Sequence, residues 1–97
     1  MKILLLLLLI TILACPASAS ARVARQVRAF RAAHPCPATG KPSGPCPGWV
    51  VDHVIPLCLG GADAPANMQW QERQESLQKD VLERRACALM VSTALDS

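Results

Sequence analysis

The sequence lacks three features that would point to other classes of protein. It has no C-x-x-C pair, no histidine after His53 and no internal repeat. The cysteines therefore do not show the ligand spacing of a structural zinc site. A chain of 97 residues with no repeat and no second domain can form one small domain only.

The apolar run near the N-terminus is too short to cross a membrane. It covers residues 3–14 after Met1 and Lys2, well below the roughly 20 residues that a spanning helix requires. The small-x-small sequence A-S-A follows at residues 17–19. This pattern predicts a secretory signal peptide over residues 1–19 and a mature domain over residues 20–97. A membrane anchor and a lipoprotein at Cys15 are the alternatives. We expect an exported protein, periplasmic or secreted, without stable membrane association after cleavage.

The mature chain carries a mild positive charge and four cysteines. Without Lys2, nine of the ten basic residues remain against seven acidic ones, a formal charge of +2. An even number of cysteines in a short exported chain predicts two disulfides, which a small core needs for stability. Three pairings are open, and we favour Cys36–Cys46 around the Pro/Gly-rich loop and Cys58–Cys87 between the central loop and the last helix. Zinc bound by sulfur is the alternative.

The segment of residues 21–33 shows helical periodicity and many arginines. Its apolar residues Val23, Val27 and Phe30 fall at i, i+4 and i+7, which predicts a helix. No acidic residue lies among the arginines on its other faces, Arg22, Arg25, Arg28 and Arg31. The helix could contact phosphate, with Arg28 as a candidate, or could simply be solvated. Lys41, at the tip of the following loop, is a second candidate for phosphate contact, whereas His34 is interpreted as a helix-end residue.

The rest of the chain is organised around residues 49–67, which read W-V-V-D-H-V-I-P-L-C-L-G-G-A-D-A-P-A-N. Asp52 and His53 end a β-prone run, and neighbouring strand residues point to opposite faces. Pro56 and the following Gly-Gly pair predict that the chain leaves the sheet in a compact loop. We therefore expect Asn67 to return beside Asp52 and His53. A second short strand over residues 68–70 and a helix over residues 71–91 should follow.

At these residues the sequence resembles the HNH endonuclease family. The pattern D-H-x-x-P-L-x-x-G-G-x-x-x-x-x-N carries the resemblance, which covers about a third of the chain, residues 50–83. The resemblance implies an α+β fold with a ββα-metal (His-Me finger-like) core, here with an N-terminal helix and disulfide cross-links. It implies that His53 is the general base, that Asp52 binds a divalent cation, and that Asn67 orients the histidine or joins the metal.

The chain departs from the family where many members place a further histidine on the helix. Ser76 occupies about that position, and Glu75 precedes it. The expected metal ligands are then Asp52 and Asn67 with waters, helped by Glu75. Oxygen ligands favour Mg²⁺ or Mn²⁺ over Zn²⁺. Lys79 matches a lysine that is common on the same helix, and with Arg73 it is a candidate for nucleic-acid binding.

The function that the resemblance implies is metal-dependent hydrolysis of phosphodiester bonds in DNA, with RNA as a second substrate class. An immunity protein would be a compatible partner. The residues alone also allow a plainer interpretation, in which Asp52 caps a turn, His53 packs in a pocket and Asn67 satisfies loop backbone groups. A catalytically inactive nucleic-acid-binding module and a small disulfide-rich secreted inhibitor or toxin are therefore the alternatives.

Overall fold

A computed structural model describes residues 19–96 of the chain. Helix α1 spans Ala19–Ala33, strand β1 spans Trp49–His53, strand β2 spans Met68–Glu72, and helix α2 spans Arg73–Asp96. Two short 3-10 turns, Leu57–Leu59 and Pro65–Asn67, lie between the strands. The predicted α+β class is confirmed at this level. The predicted signal peptide falls on residues outside the described range, apart from its last residue.

The two strands form an antiparallel pair with a regular register. Trp49 lies opposite Glu72, Asp52 opposite Gln69, and His53 opposite Met68. The second strand is two residues longer than expected, so α2 begins at Arg73 rather than at residue 71. Pairing with β1 holds residues 71 and 72 in extended conformation, and this long-range contact overrides their helical pattern.

The core is small and lies between α1 and the sheet. Its buried apolar side chains are Phe30, Cys36 and Met68. The ring of Phe30 lies 6.0 Å from that of Trp70 on β2, and the Trp70 indole N–H donates to the His34 carbonyl at 2.8 Å. These contacts fix α1 against β2. His34 directly follows the last residue of α1, as expected for a helix-end residue.

Both predicted disulfides are present. The Cys36–Cys46 bond closes the loop after α1, and the Cys58–Cys87 bond joins the Leu57–Leu59 turn to α2. Their Cα–Cα separations of 5.7 and 5.8 Å are in the normal range. The favoured pairing is therefore confirmed. Disulfides are typical of proteins that fold in an oxidising compartment.

Helix α2 contributes little to the core. None of its residues is buried, and its expected apolar side is open, with Leu77, Val81, Leu82 and Met90 all exposed. The helix is instead attached through Lys79 and Cys87. Within residues 19–96, neither helix combines the length and the hydropathy needed to span a membrane.

Candidate active site

His53 closes strand β1 and lies beside a carboxylate from the loop that follows. Its Nε2 atom is 3.2 Å from Oδ1 of Asp63, and the two side chains are 20% and 26% exposed. Asp63 was not among the residues that the sequence pattern suggested. The loop of residues 54–67 brings it back to the strand from ten residues away. Its only sequence signal is a carboxylate just after the Gly-Gly pair, inside a loop that must close.

Asn67 holds this loop in place through its side-chain amide. Its Oδ1 accepts from the Ile55 N–H at 3.0 Å, while its Nδ2 donates to the carbonyls of Ile55 and Ala62, each at 2.9 Å. The backbone N–H of Val54 adds a bond to the Asn67 carbonyl at 2.8 Å. The amide therefore links both sides of the loop and fixes the backbone next to Asp63. Asn67 returns beside the end of β1, as expected, and satisfies loop backbone groups, as the plainer interpretation proposed.

Gly61 is the residue that lets the two sides of the loop meet. A Cβ atom placed there would collide with the Ile55 carbonyl and would lie 2.9 Å from Nδ2 of Asn67. The Gly61 N–H also donates to the Pro56 carbonyl at 3.0 Å. Close approach of backbone to backbone is a common reason for glycine at such a position. The second glycine of the Gly-Gly pair is therefore a requirement of the site geometry.

Asp52 faces the opposite side of the strand from His53, as the alternation of strand residues predicts. Among the described residues, Asp52 is the one buried side chain that is polar or charged, at 9% exposure. The Lys79 ammonium donates to its two carboxylate oxygens at 3.1 and 2.9 Å, and the Gln69 amide donates to Oδ2 at 3.0 Å. The carboxylate is therefore paired with a charge and a cross-strand neighbour, as a buried charge requires.

Lys79 connects α2 to the site strand. Besides Asp52, its ammonium donates to the His53 carbonyl at 2.8 Å and forms an ion pair with Glu83 one helical turn onward. Glu75, one helical turn before Lys79, is exposed. Burial disfavours the charged ammonium, but hydrogen bonds and charge attraction from Glu83 and Asp52 outweigh that cost. They raise the pKa of Lys79 above its ordinary value.

The predicted metal ligands do not form a cation site in this arrangement. The Asp52 carboxylate already contacts the Lys79 ammonium, whose charge would repel a divalent ion. The Asn67 amide is engaged with the loop backbone, and Glu75 is exposed on the first turn of α2. Across residues 19–96, no group of three or more His, Cys, Asp or Glu side chains could hold a metal ion. We therefore assign no chemical step to a metal.

His53 opens into a cleft of about 600 Å³ between the sheet and α2. Arg73, Ser76 and Asp80 are among the polar residues of α2 that line it, and Pro56 and Leu57 line it from the loop. Residues with an imidazole, a guanidinium and a hydroxyl therefore line one open space, together with the acidic residues Asp52, Asp80 and Glu83. Asp52 and Glu83 are ion-paired with Lys79, and a guanidinium can hold an anionic group next to a base.

The residues predicted to bind nucleic acid are distributed unequally around this cleft. Arg73 lines it and is exposed. Lys79 is occupied by Asp52, Glu83 and the His53 carbonyl, so a phosphate would have to displace these partners to reach it. Lys41 and Arg28 are exposed but are not among the residues that line the cleft. Of the four candidates, Arg73 alone is in position to act with His53.

Comparisons with protein-family models, with curated proteins and with solved structures give no match to this chain. The HNH resemblance therefore remains a prediction from the sequence pattern.

Proposed function

We propose that the mature chain is an exported nuclease that hydrolyses phosphodiester bonds of nucleic acid, with His53 as the general base and Asp63 as its positioning residue. The proposal agrees with the function that the HNH-like pattern implies. The observation that carries it is the 3.2 Å contact between His53 Nε2 and Asp63 Oδ1.

This contact favours one tautomer of the imidazole. A neutral histidine that donates its Nε2 proton to a carboxylate keeps a lone pair on Nδ1. Within residues 19–96, no protein group is hydrogen-bonded to His53 Nδ1. The carboxylate also stabilises the imidazolium that forms once Nδ1 has accepted a proton, which is the role of the third member of a catalytic triad.

In the proposed reaction these groups take the following roles. A water molecule beside Nδ1 loses its proton to His53 as its oxygen attacks the phosphorus atom. The bond between phosphorus and the 3′ oxygen breaks, leaving a 5′-phosphate and a 3′ oxygen that takes a proton from solvent. Arg73 borders the same cleft and can hold a non-bridging phosphate oxygen.

A divalent cation is part of what the resemblance implies, and its role is a question for the assay. When bound near a phosphodiester, such an ion neutralises developing charge on the phosphate oxygens. The partners of Asp52 and Asn67 do not favour the predicted ligand set, so metal dependence has to be measured directly. We therefore include Mg²⁺, Mn²⁺ and EDTA as separate conditions.

The test is plasmid nicking by purified, oxidised protein and its variants. His53→Ala should lower the rate ~10²-fold or more, because a general base contributes about that factor. Asp63→Asn should lower kcat roughly 10- to 100-fold with little change in KM, since an orienting partner acts on the chemistry rather than on binding. His34→Gln is the matched control, because it removes the only other histidine and lies at the exposed end of α1.

Each outcome discriminates between functions. Nicking by His53→Ala at the parent rate would remove His53 from the mechanism. Protein that binds DNA but never nicks it, with either cation or with EDTA, would be the inactive binding module. Protein that does neither would favour the secreted inhibitor or toxin. Circular dichroism of each variant separates loss of chemistry from loss of fold.

A further inference from the structure

A second cleft includes Asp63, the partner of His53, among its lining residues. It has a volume of about 510 Å³, and Asp63 forms part of its wall. The remaining wall comes from the first turns of α1 and from Leu57, with the lining residues Arg22, Val23, Arg25, Gln26 and Leu57. Two of the four arginines of α1 therefore lie at a cleft that shares a residue with the candidate active site.

The guanidinium groups of Arg22 and Arg25 are available for a ligand. Both residues are exposed, and neither has a carboxylate within ion-pair distance in the part of the chain that the structure describes. Arg31 differs, because it donates to the Gly44 carbonyl at 2.6 Å and lies 5.3 Å from the centre of the Trp70 ring. Of the four arginines of α1, Arg31 thus secures the helix, Arg28 lines neither cleft, and Arg22 and Arg25 lie at this cleft without a partner of opposite charge among residues 19–96.

The two clefts share a lining residue in the loop. Leu57 lines both of them and is 43% exposed. Asp63 lines the arginine cleft, while its carboxylate contacts His53, which lines the other. A chain-like ligand that occupied the His53 cleft could therefore continue across Leu57 to the arginines.

The helix that carries these arginines is held firmly at its C-terminal half. Phe30 is buried, and the Trp70 indole donates to the carbonyl of His34 just beyond the helix. Contacts between α1 and the Pro65–Asn67 turn also join the helix to the loop that bears Asp63. The helix that carries Arg22 and Arg25 is therefore attached both to the sheet and to the loop that bears Asp63.

We infer that Arg22 and Arg25 form a phosphate-binding subsite for the nucleic-acid backbone next to the phosphodiester at His53. This inference rests on the proposed function and names the part of the chain that holds the substrate. A guanidinium matches the geometry of phosphate oxygens with two parallel N–H donors. Phosphate contacts of this kind position a nucleic acid without reading its sequence.

The test compares two double variants that remove the same charge. Arg22→Gln/Arg25→Gln alters the subsite, whereas Arg84→Gln/Arg85→Gln removes two exposed arginines of α2 that lie in neither cleft. Binding of a fluorescein-labelled duplex DNA in EDTA is followed by anisotropy from 0.05 to 0.3 M salt, a range chosen for measurable slopes. Kinetic constants for cleavage of the same duplex are measured in parallel.

Loss of two phosphate contacts should be visible in both measurements. The subsite variant should bind roughly 10- to 30-fold more weakly at 0.15 M salt, with the slope of log K against log salt reduced by about 2. KM should rise while kcat changes little, because the arginines hold the substrate away from the reacting atoms. The control variant Arg84→Gln/Arg85→Gln should stay close to the parent in both DNA binding and cleavage kinetics.

The results separate this inference from the proposed function. Equal affinity and slope for the two double variants would overturn the subsite. If the Arg22→Gln/Arg25→Gln variant lost binding to anionic phospholipid vesicles but kept the parent's DNA binding, the subsite would be overturned in favour of a membrane contact. If the parent binds DNA through the arginines but does not cut it, the subsite stands and the nuclease proposal falls. A fall in kcat together with a lowered urea midpoint would assign the arginines to the fold and reject the subsite.

Discussion

Replacing Lys79 by methionine should show how much the fold depends on one buried ion pair. The substitution keeps the length of the side chain but leaves the Asp52 carboxylate, 9% exposed, with the Gln69 amide as its remaining side-chain donor. Breaking a buried pair from one side typically costs 3–5 kcal/mol. Because the Lys79 side chain is 24% exposed, we expect the lower end, about 3 kcal/mol. A domain of this size has only about 5–10 kcal/mol of stability.

Urea unfolding of the oxidised protein, followed by circular dichroism, measures this cost. Lys41→Met is the matched control, since Lys41 is exposed in the loop after α1, and it should stay within about 0.5 kcal/mol of the parent. Asp52→Asn with Lys79→Met removes both charges and should recover about 2 kcal/mol relative to the sum of the single variants. A coupling energy near zero would contradict the role given to this pair.

The stability difference should also depend on pH in a defined direction. The pKa of Lys79 is raised in the folded protein, so its contribution is complete below the ordinary lysine pKa of 10.5 and decreases as pH rises beyond it. The difference in free energy of unfolding between the parent and Lys79→Met should therefore be constant from neutral pH upward and should decrease above about pH 10.5. A gap that already narrows near neutral pH would show that another group is responsible.

The same variant tests the predicted metal site. If Asp52 can bind a divalent cation, removal of the competing ammonium should expose that capacity. Mn²⁺ would then raise the urea midpoint of Lys79→Met but not that of the double variant. Equal midpoints with and without Mn²⁺ would agree with a structural carboxylate.

Two further predictions concern the loop that carries Asp63. Gly61→Ala should destabilise the protein by about 2–3 kcal/mol, because the added methyl group meets backbone. Gly60→Ala is the control, because an alanine there meets no neighbouring atom and is disfavoured only by the positive φ, so it should cost about 1 kcal/mol. Equal urea midpoints for Gly61→Ala and Gly60→Ala would refute the close-approach argument. Replacing Cys58 and Cys87 by alanine opens a link across 29 residues and should cost about 3–4 kcal/mol. A loss below about 1 kcal/mol in the same assay would mean that the loop closes without the bond.

Local sequence patterns were sufficient for several elements of the fold. The apolar spacing of Val23, Val27 and Phe30 predicted the first helix to within two residues at its start. The alternation of strand residues predicted that Asp52 and His53 would face different sides of the sheet, and the structure has Asp52 buried and His53 partly exposed. These features depend on interactions within a few residues, so their signal lies in the sequence.

Other features depend on contacts between distant residues, and local patterns predicted them poorly. The start of α2 was placed two residues too early, because strand pairing decides the conformation of residues 71 and 72. The contact between Lys79 and Asp52, which are 27 residues apart, had no signal in the local sequence pattern. Both features depend on a partner that is distant along the chain.

The sequence by itself indicated a small α+β domain with two disulfides and His53 as the residue to test, while the disulfide pairing, favoured but open in the sequence, was settled by the structure. Only the tertiary structure decided that Asp63 is the partner of His53, that Lys79 neutralises Asp52, and that two arginines of α1 border a cleft beside them. For Asp63, the physical reason is closure of the loop by Asn67 and Gly61. That closure brings together side chains whose separation along the chain carries no periodic signal.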